Sequence, residues 1–299
     1  MKSSVFSLKS GNMTWFEAID YAKRLGVSAI EPYPCAELAV PDVSAARAVR
    51  RYADERGLAV SCFSTGACLT GRKAASEIER LKRYADVCAA LGSPYLHHTL
   101  IPGLNPAQTI ADFDAEIAEA ARNAREVYDY AEKRGVACVY EDQGFCINGV
   151  VNFERFLREL ERPAGIVADL GNILFVGETP EAFVGRFAGR IVHVHVKDYL
   201  FKDGGGDDPG EGWYRTRSGD FLRGTVIGHG VIAFGKVFRR LAESGYDGCF
   251  SMEFDGLEDM ETAHRLGLAN MSAFWQTACA RSGRVKDTKT LTPYTSAGA

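Results

Sequence analysis

The sequence predicts an α/β fold, a single-domain (β/α)8 TIM barrel, and three observations carry that expectation. Short apolar runs alternate with longer amphipathic segments, eight of each, along 299 residues. The unit recurs roughly every 30 residues, the length of one strand–helix step. The glycine fingerprints of an open doubly wound sheet are absent. The barrel is expected to span residues 1–280, with 281–299 a polar tail rich in Thr, Ser, Lys and Gly.

Each unit has a local cause. The strand runs fall at 5–8, 28–32, 59–64, 95–99, 137–141, 165–169, 191–197 and 249–253. The first helix, 14–25, opens on Thr14 with Glu17 at the capping-box spacing. The next two, 42–56 and 76–91, stop at Gly57 and Gly92, residues that leave a helix through the left-handed region. A long helix, 109–134, ends at Gly135. Helices 152–160 and 179–187 are shorter, and Pro180 suits a first turn. Helix 233–243 ends at Ser244-Gly245, and 259–280 closes the series.

Composition narrows the partners. Apolar residues make up 46% and charged residues 25%, enough for a sizeable core. The net charge of -4 and the lack of a long basic run argue against nucleic acid. No apolar run is long enough for a membrane span, and the first ten residues lack the apolar core of a signal peptide. Eight scattered cysteines without a CxxC pair read as small core residues. The expected setting is a reducing cytoplasm, and the expected partner a small molecule; a homo-oligomer is compatible with this.

Chemistry concentrates where strands end, because barrels of this kind carry their reactive groups there. The run Ile191-Val-His-Val-His-Val-Lys-Asp198 alternates with a period of two, so His193, His195 and Lys197 share one face. Other strand ends offer Glu31, the pair His97 and His98, Glu141, Asp169 and Glu253. Four neighbouring strands thus bring Glu141, Asp169, His195 and Glu253 to one point. Three carboxylates crowded there repel one another unless a dication joins them. Three hard oxygens and one imidazole suit Mn²⁺ first, with Mg²⁺, Co²⁺ or Zn²⁺ as alternatives.

Strand order, Glu141, Asp169, the His-Val-His-Val-Lys-Asp run and Glu253 together resemble the xylose-isomerase-like barrel superfamily. Gly228-His-Gly230 and Gly245-Tyr-Asp-Gly-Cys-Phe-Ser-Met-Glu253 strengthen the likeness, which covers residues 1–280. That superfamily includes sugar phosphate isomerases/epimerases, ketose 3-epimerases and inosose dehydratases. The resemblance implies that Glu141, Asp169, His195 and Glu253 are the metal ligands. It also implies that Glu141 and Glu253 work on opposite faces of the substrate, one removing a proton and one returning it. Two positions depart from the ketose epimerases. Asn172 stands where they commonly place a histidine, and Lys197-Asp198 is closer to the dehydratase branch.

The remaining candidates carry paired readings. Lys197 holds an enolate oxygen or acts as a base with a depressed pKa; the competing reading is an ion pair with a site carboxylate or Glu31. Glu31 binds a substrate hydroxyl or pairs with a barrel lysine. His97 and His98 alternate faces, so at most one points inward, and His98 is taken as the substrate contact. His193 is a packed neighbour of His195 or a substrate contact, and Asn172 a substrate contact. His229 reads as a turn residue, and Trp15 as a packed residue near the pocket mouth. Residues 199–227 form an insertion longer than an ordinary loop. Its Trp213, Tyr214, Arg215, Arg217 and Arg223 fit a lid that closes over a sugar, with Arg223 touching it.

The expected function is a divalent-metal-dependent isomerase or epimerase that removes a proton next to the carbonyl of a ketose or related keto-sugar or polyol, through a metal-stabilised enediolate. The alternative is a dehydratase or lyase on a keto-inositol or 3-keto-glycoside, C-glycoside cleavage included. Abasic-site DNA repair, which shares the barrel, calls for more histidines than the six present and for a basic groove. A non-catalytic sugar-binding barrel would leave the four-ligand set without a role.

Overall fold

The structure, a computed structural model, describes residues 1–6, 13–101, 103 and 113–284. Its strands are β1 (Lys2–Val5), β2 (Ala29–Ile30), β3 (Ala59–Val60), β4 (Phe63–Thr65), β5 (Tyr95–His98), β6 (Ala137–Glu141), β7 (Gly165–Asp169), β8 (Ile191–Val196), β9 (Asp198–Lys202), β10 (Tyr214–Arg215), β11 (Phe221–Thr225) and β12 (Cys249–Met252). Between them run α1 (Trp15–Leu25), α2 (Val43–Glu55), α3 (Ala74–Leu91), α4 (Phe113–Glu132), α5 (Val150–Leu160), α6 (Pro180–Phe187), α7 (Phe234–Glu243) and α8 (Met260–Arg281).

Nine of the strands form one parallel sheet in the order β3-β2-β1-β12-β8-β7-β6-β5-β4. Its two edges, β3 and β4, are consecutive pieces of the third barrel strand. That strand breaks at Ser61-Cys62, yet the Ser61 and Ser64 amides still donate to the Ile30 and Pro32 carbonyls. The ribbon therefore closes on itself, and closure removes the open edges. The expected eight-unit barrel is the observed architecture.

Local chemistry matches the helix ends. Thr14 accepts from the Glu17 amide while the Glu17 carboxylate accepts from the Thr14 amide, the reciprocal capping box. Thr179 caps α6, with Pro180 in the first turn. The helices bury their apolar stripes against the outer faces of the strands, around Trp15, Phe63, Phe156, Phe183, Phe238 and Phe250. Each such side chain contributes about 1.5–3 kcal/mol on burial. The barrel interior is different. Among the described residues its apolar plug is Cys62, Val139 and Val167, with Tyr95 and Val192 against it. Two residues further along the same inward rows come Ser64, Glu141 and Asp169, because side chains on a strand alternate. The interior thus turns from apolar to charged within one layer.

Three expectations change. The first strand starts earlier than 5–8: Lys2–Val5 pairs with Cys249–Met252, and Ser3 and Ser4 are buried despite their polarity. Residues 7 and 8, the other half of that expectation, lie outside the described residues. The expected helix 109–134 is observed as Phe113–Glu132, its first residues lying outside the described ones. The insertion is not an irregular loop but a second, antiparallel sheet, β10-β11-β9. Asp198 pairs with Thr225 and Lys202 with Phe221, so the chain doubles back over the end of β8. Of the expected tail, residues 285–299 lie outside the described residues. Among the described residues no helix is long and apolar enough to cross a membrane.

Candidate metal centre

Strand register brings the acids together. Asp169 on β7 stands opposite His195 on β8, and His195 stands opposite Ser251 on β12. Glu253 lies two residues beyond Ser251, on the same face. Glu141 on β6 stands opposite Val167, one inward position below Asp169. The four residues singled out in the sequence therefore surround one point. His195 Nδ1 lies 3.1 Å from Glu141 Oε2, 3.7 Å from Glu253 Oε2 and 3.8 Å from Asp169 Oδ2. Phe6 stacks on the imidazole at 5.1 Å.

These separations fit a cation. Ligands about 2.1 Å from one ion, at right angles, stand about 3 Å apart. Glu141, Asp169 and His195 form one of two groups among the described residues whose donor atoms are close enough to hold a metal. Asp169 Oδ2 is buried and faces this point, 3.0 Å from the Lys197 ammonium. Its other oxygen accepts from the Gly171 and Asn172 amides, 2.8 Å each, which fixes the carboxylate.

The charged groups at this point shift one another's proton affinity. Burial opposes charge on His195, but Glu31 and Glu141 outweigh it and raise the imidazole well above its ordinary pKa. Burial also opposes charge on Glu141, yet His97, His195 and Lys197 bring it down to about 2. Burial pushes Glu253 up to about 8 against the pull of Lys197, and raises Asp169 as well. Lys197 Nζ sits 3.0 Å from both Asp169 Oδ2 and Glu253 Oε1.

That contact corrects one expectation. The two carboxylates overcome burial and raise the Lys197 pKa well above its ordinary value, so a base with a depressed pKa does not fit. Gly171 makes room for the side chain: a Cβ there would come within 2.5 Å of Lys197 Cγ. Asn172 does not face the open cavity; its Oδ1 accepts from Lys197 at 3.3 Å.

Beneath the cluster lies a second set of residues. Glu31 is fully buried, with His193 Nε2 at 2.7 Å on one oxygen. Its other oxygen meets His195 Nε2 at 2.8 Å and Ser64 Oγ at 2.6 Å. Burial works against its charge, but the two histidines hold the carboxyl well below the ordinary range. Glu31 and His193 were expected to touch substrate, yet they bond each other inside this network and neither is exposed. Of the strand-five pair, His97 is the inward one. Its Nδ1 is 3.0 Å from Ser64 Oγ and its Nε2 3.5 Å from Glu141 Oε1. His98 is not a substrate contact: it faces the helices, edge-on to Tyr140, with Nδ1 on the Thr99 carbonyl at 2.9 Å.

A cavity of about 540 Å³ opens above this cluster. His97, Glu141, Lys197 and Glu253 form its floor, and Phe6, Tyr33, Thr65, Arg80 and Gln143 are among its walls. The sequence reading missed Tyr33 and Gln143, which lie just past β2 and β6, and Arg80, which stands on α3; no periodic signal marks any of them as pocket residues. The Arg80 guanidinium is taken by Glu77, Thr65 and the Gly66 carbonyl. Arg223 does not line this cavity; it lies over the Trp213 ring at 5.5 Å. A second cavity, about 590 Å³, opens at the opposite end of the barrel beside Lys2, Tyr95 and Asp247, away from the carboxylates around His195.

Asp198 turns away from the cluster. It accepts from the amides of Tyr199, Gly228, Gly230 and Ile232, and so joins the start of the insertion to its end. Gly230 is required there, since a Cβ would lie 2.3 Å from Asp198 Oδ1. His229 sits in that turn, as expected, and is exposed. Tyr199 and Leu222 pack on Phe175, which attaches the small sheet to the loop after β7.

A family model described as xylose isomerase-like TIM barrel matches residues 19–273. A Bacillus cereus protein named inosose dehydratase 1 is 32% identical over 128 residues, 41% of this chain and 42% of that protein. The chain therefore spans about two fifths of the length of that curated relative. The solved structure of an L-ribulose 3-epimerase superimposes with a TM-score of 0.75 at 16% identity, covering 97% of this chain and 99% of the other. A xylose isomerase-like TIM barrel protein from Mycobacterium smegmatis, in complex with magnesium, gives 0.69 at 20% identity, covering 90% and 89%. At these identities the two structures show the fold.

Proposed function

The chain belongs to the xylose isomerase-like TIM barrel family, and from that premise we propose a divalent-metal-dependent enzyme that removes a proton beside the carbonyl of a keto-polyol or keto-sugar and then expels water. One observation carries the reading: Glu141, Asp169 and His195 bring donor atoms close enough to share an ion, with Glu253 3.7 Å from the same imidazole nitrogen, beneath a cavity of about 540 Å³. Glu141, Asp169, His195 and Glu253 would hold the ion. When bound, a divalent cation supplies Lewis acidity, which lowers the pKa of the C–H next to a coordinated carbonyl.

The rest falls to side chains. Glu253 lines the cavity and takes the proton from carbon. Lys197, 3.0 Å from Glu253 Oε1, gives a proton to the departing hydroxyl, which leaves as water. The proton on Glu253 then returns to Lys197 across the same contact, and both groups are restored. Elimination is placed ahead of the epimerase expectation because this pair puts an acid beside the base. The relative named inosose dehydratase agrees, and a keto-inositol is the substrate to try first. Epimerisation stands as the second reading. It rests on Glu141, whose carboxylate also lines the floor and offers a second proton carrier.

The deciding assay incubates metal-stripped protein, with and without added Mn²⁺, with keto-inositols, ketoses and 3-keto-glycosides in deuterated water. Loss of water and a new unsaturated ketone, only with metal, is the expected result. Deuterium uptake without elimination selects the epimerase reading. Neither product on any substrate, in protein that has bound metal, sinks both.

A further inference from the structure

Below the cation site, one carboxylate touches two histidine systems, and hydrogen counting decides what each can do. A carboxylate only accepts hydrogen bonds. Glu31 is within 2.7 Å of His193 Nε2 and 2.8 Å of His195 Nε2, so both of those nitrogens carry hydrogen. By the same rule His195 Nδ1, 3.1 Å from Glu141 Oε2, also carries a hydrogen here, so Nδ1 is the nitrogen that gives its proton up when a cation takes that side of the ring while Glu31 keeps the hydrogen on Nε2.

Ser64 extends the count. Its Oγ has one hydrogen, and the 2.6 Å contact to Glu31 Oε1 uses it. Toward His97 Nδ1, at 3.0 Å, Ser64 can only accept. His97 Nδ1 is therefore the protonated nitrogen, and His97 Nε2 keeps its lone pair. That atom has no hydrogen-bond partner among the described residues. The side chain is 4% exposed and forms part of the cavity floor, with Nε2 3.5 Å from Glu141 Oε1. Two acceptors facing each other across that gap leave room for a donor reaching both.

We propose that Glu31 sets the tautomers of two histidines in opposite senses, so that His195 offers Nδ1 to the cation and His97 offers Nε2 to a substrate hydroxyl. The inference rests on the functional reading above and adds to it a substrate-binding residue, His97, and a positioning residue, Glu31. Ser64 acquires a role as well, since it reverses the sense of the hydrogen bond between Glu31 and the second imidazole. A keto-polyol carries the hydroxyl donors that this acceptor requires; a substrate without a hydroxyl near the reacting carbon would leave His97 Nε2 unpaired, at a cost in affinity.

The test needs no turnover. Long-range ¹H–¹⁵N spectra of the imidazoles in metal-free protein read each tautomer directly. The expected pattern is hydrogen on Nδ1 and none on Nε2 for His97, hydrogen on Nε2 of His193, and hydrogen on both nitrogens of His195, of which only the one on Nε2 stays when Co²⁺ binds. A His97 protonated at Nε2 overturns the proposal. Glu31→Gln should then weaken Co²⁺ binding by about 10- to 100-fold in calorimetry, the usual cost of losing such a partner. Unchanged Co²⁺ affinity overturns the His195 half. If Glu31→Gln does not fold, Ser64→Ala decides the relay, because His97 should lose its fixed tautomer while Co²⁺ affinity holds. For the substrate half, keto-inositol affinity of metal-loaded protein is compared in His97→Asn, which keeps the Ser64 contact, and His97→Gln, which restores an acceptor near Nε2. A fall of about tenfold in the first and under threefold in the second is expected; equal affinities overturn it. Wild type that takes up no Co²⁺ removes the functional reading, and the imidazole spectra still judge the tautomers separately.

Discussion

The strand-end cluster and the small sheet after β8 start from one dipeptide, Lys197-Asp198, and use its charges in opposite ways. Lys197 points inward, where its ammonium is held by Asp169 and Glu253. Asp198 points outward, where its carboxylate is held by backbone amides of Tyr199, Gly228, Gly230 and Ile232. Both are buried. The first charge is neutralised by other charges, which can be displaced by an ion or moved by a proton. The second is neutralised by peptide dipoles, which are fixed once the turn is made. A reactive centre needs the first kind of partner; a joint between two sheets needs the second.

The contrast is sharpest at Glu253, the carboxylate that shares Lys197 and reaches the cavity. Glu253→Gln should lower turnover of the accepted keto-substrate by about 10²- to 10⁴-fold, the usual contribution of a positioned acid or base. Circular dichroism should show the barrel intact. Full activity in that variant would move the proton chemistry to Glu141 or off this site.

Lys197→Met comes next. It takes the ammonium away from Asp169 and Glu253, and breaking a buried pair in this way costs about 3–5 kcal/mol. Urea unfolding of metal-free protein should show a loss of that order. Saturating Mn²⁺ should restore most of it, because an ion bound only by the native state adds about 2.7 kcal/mol at a hundred times its dissociation constant. A loss that metal does not reduce would mean that the ammonium and the ion do not share these acids.

On the other side of the comparison, Asp198→Ala leaves four amides without their acceptor in a turn with no room to rearrange around Gly230. The expected cost is about 1–3 kcal/mol. Amide exchange at Gly228, Gly230 and Ile232 should accelerate, while Co²⁺ affinity should stay within twofold of wild type. A large drop in Co²⁺ affinity would show that the joint also shapes the cluster.

How far the sequence revealed this depends on which rule each part obeys. The barrel and the four converging residues were legible because strand alternation puts Glu141, Asp169, His195 and Glu253 on inward faces near the ends of neighbouring strands, the first three one unit apart and the last one unit plus the insertion later. Alternation also said that only one of His97 and His98 points inward, but not which one. That choice depends on the register of β5 against β6, where His97 stands opposite Val139 of the apolar plug. Glu31 and His193 looked like substrate contacts because a polar residue at a strand end is normally open. Their closure comes from each other, across 162 positions of sequence, and no local pattern encodes it. The insertion's second sheet was hidden for a related reason: β10 has two residues and β11 five, too short for a period to show.

Tyr199 is where the two regions meet, and it offers the finest test. Its ring packs on Phe175 in the cluster that attaches the small sheet. Its hydroxyl donates to Asp255 Oδ2 at 3.2 Å, and the same oxygen is 3.9 Å from Lys197 Nζ. Tyr199→Phe keeps the ring and removes only the hydroxyl, so stability should fall by about 0.5–1.5 kcal/mol, the worth of one hydrogen bond. If the insertion merely covers the barrel end, turnover and KM should both hold within about twofold. If Asp255 helps to place Lys197, the freed carboxylate should turn toward the ammonium and lower kcat while KM stays, since the departing hydroxyl would lose its acid. A kcat change larger than the stability change would therefore join the two halves of the dipeptide into one functional unit.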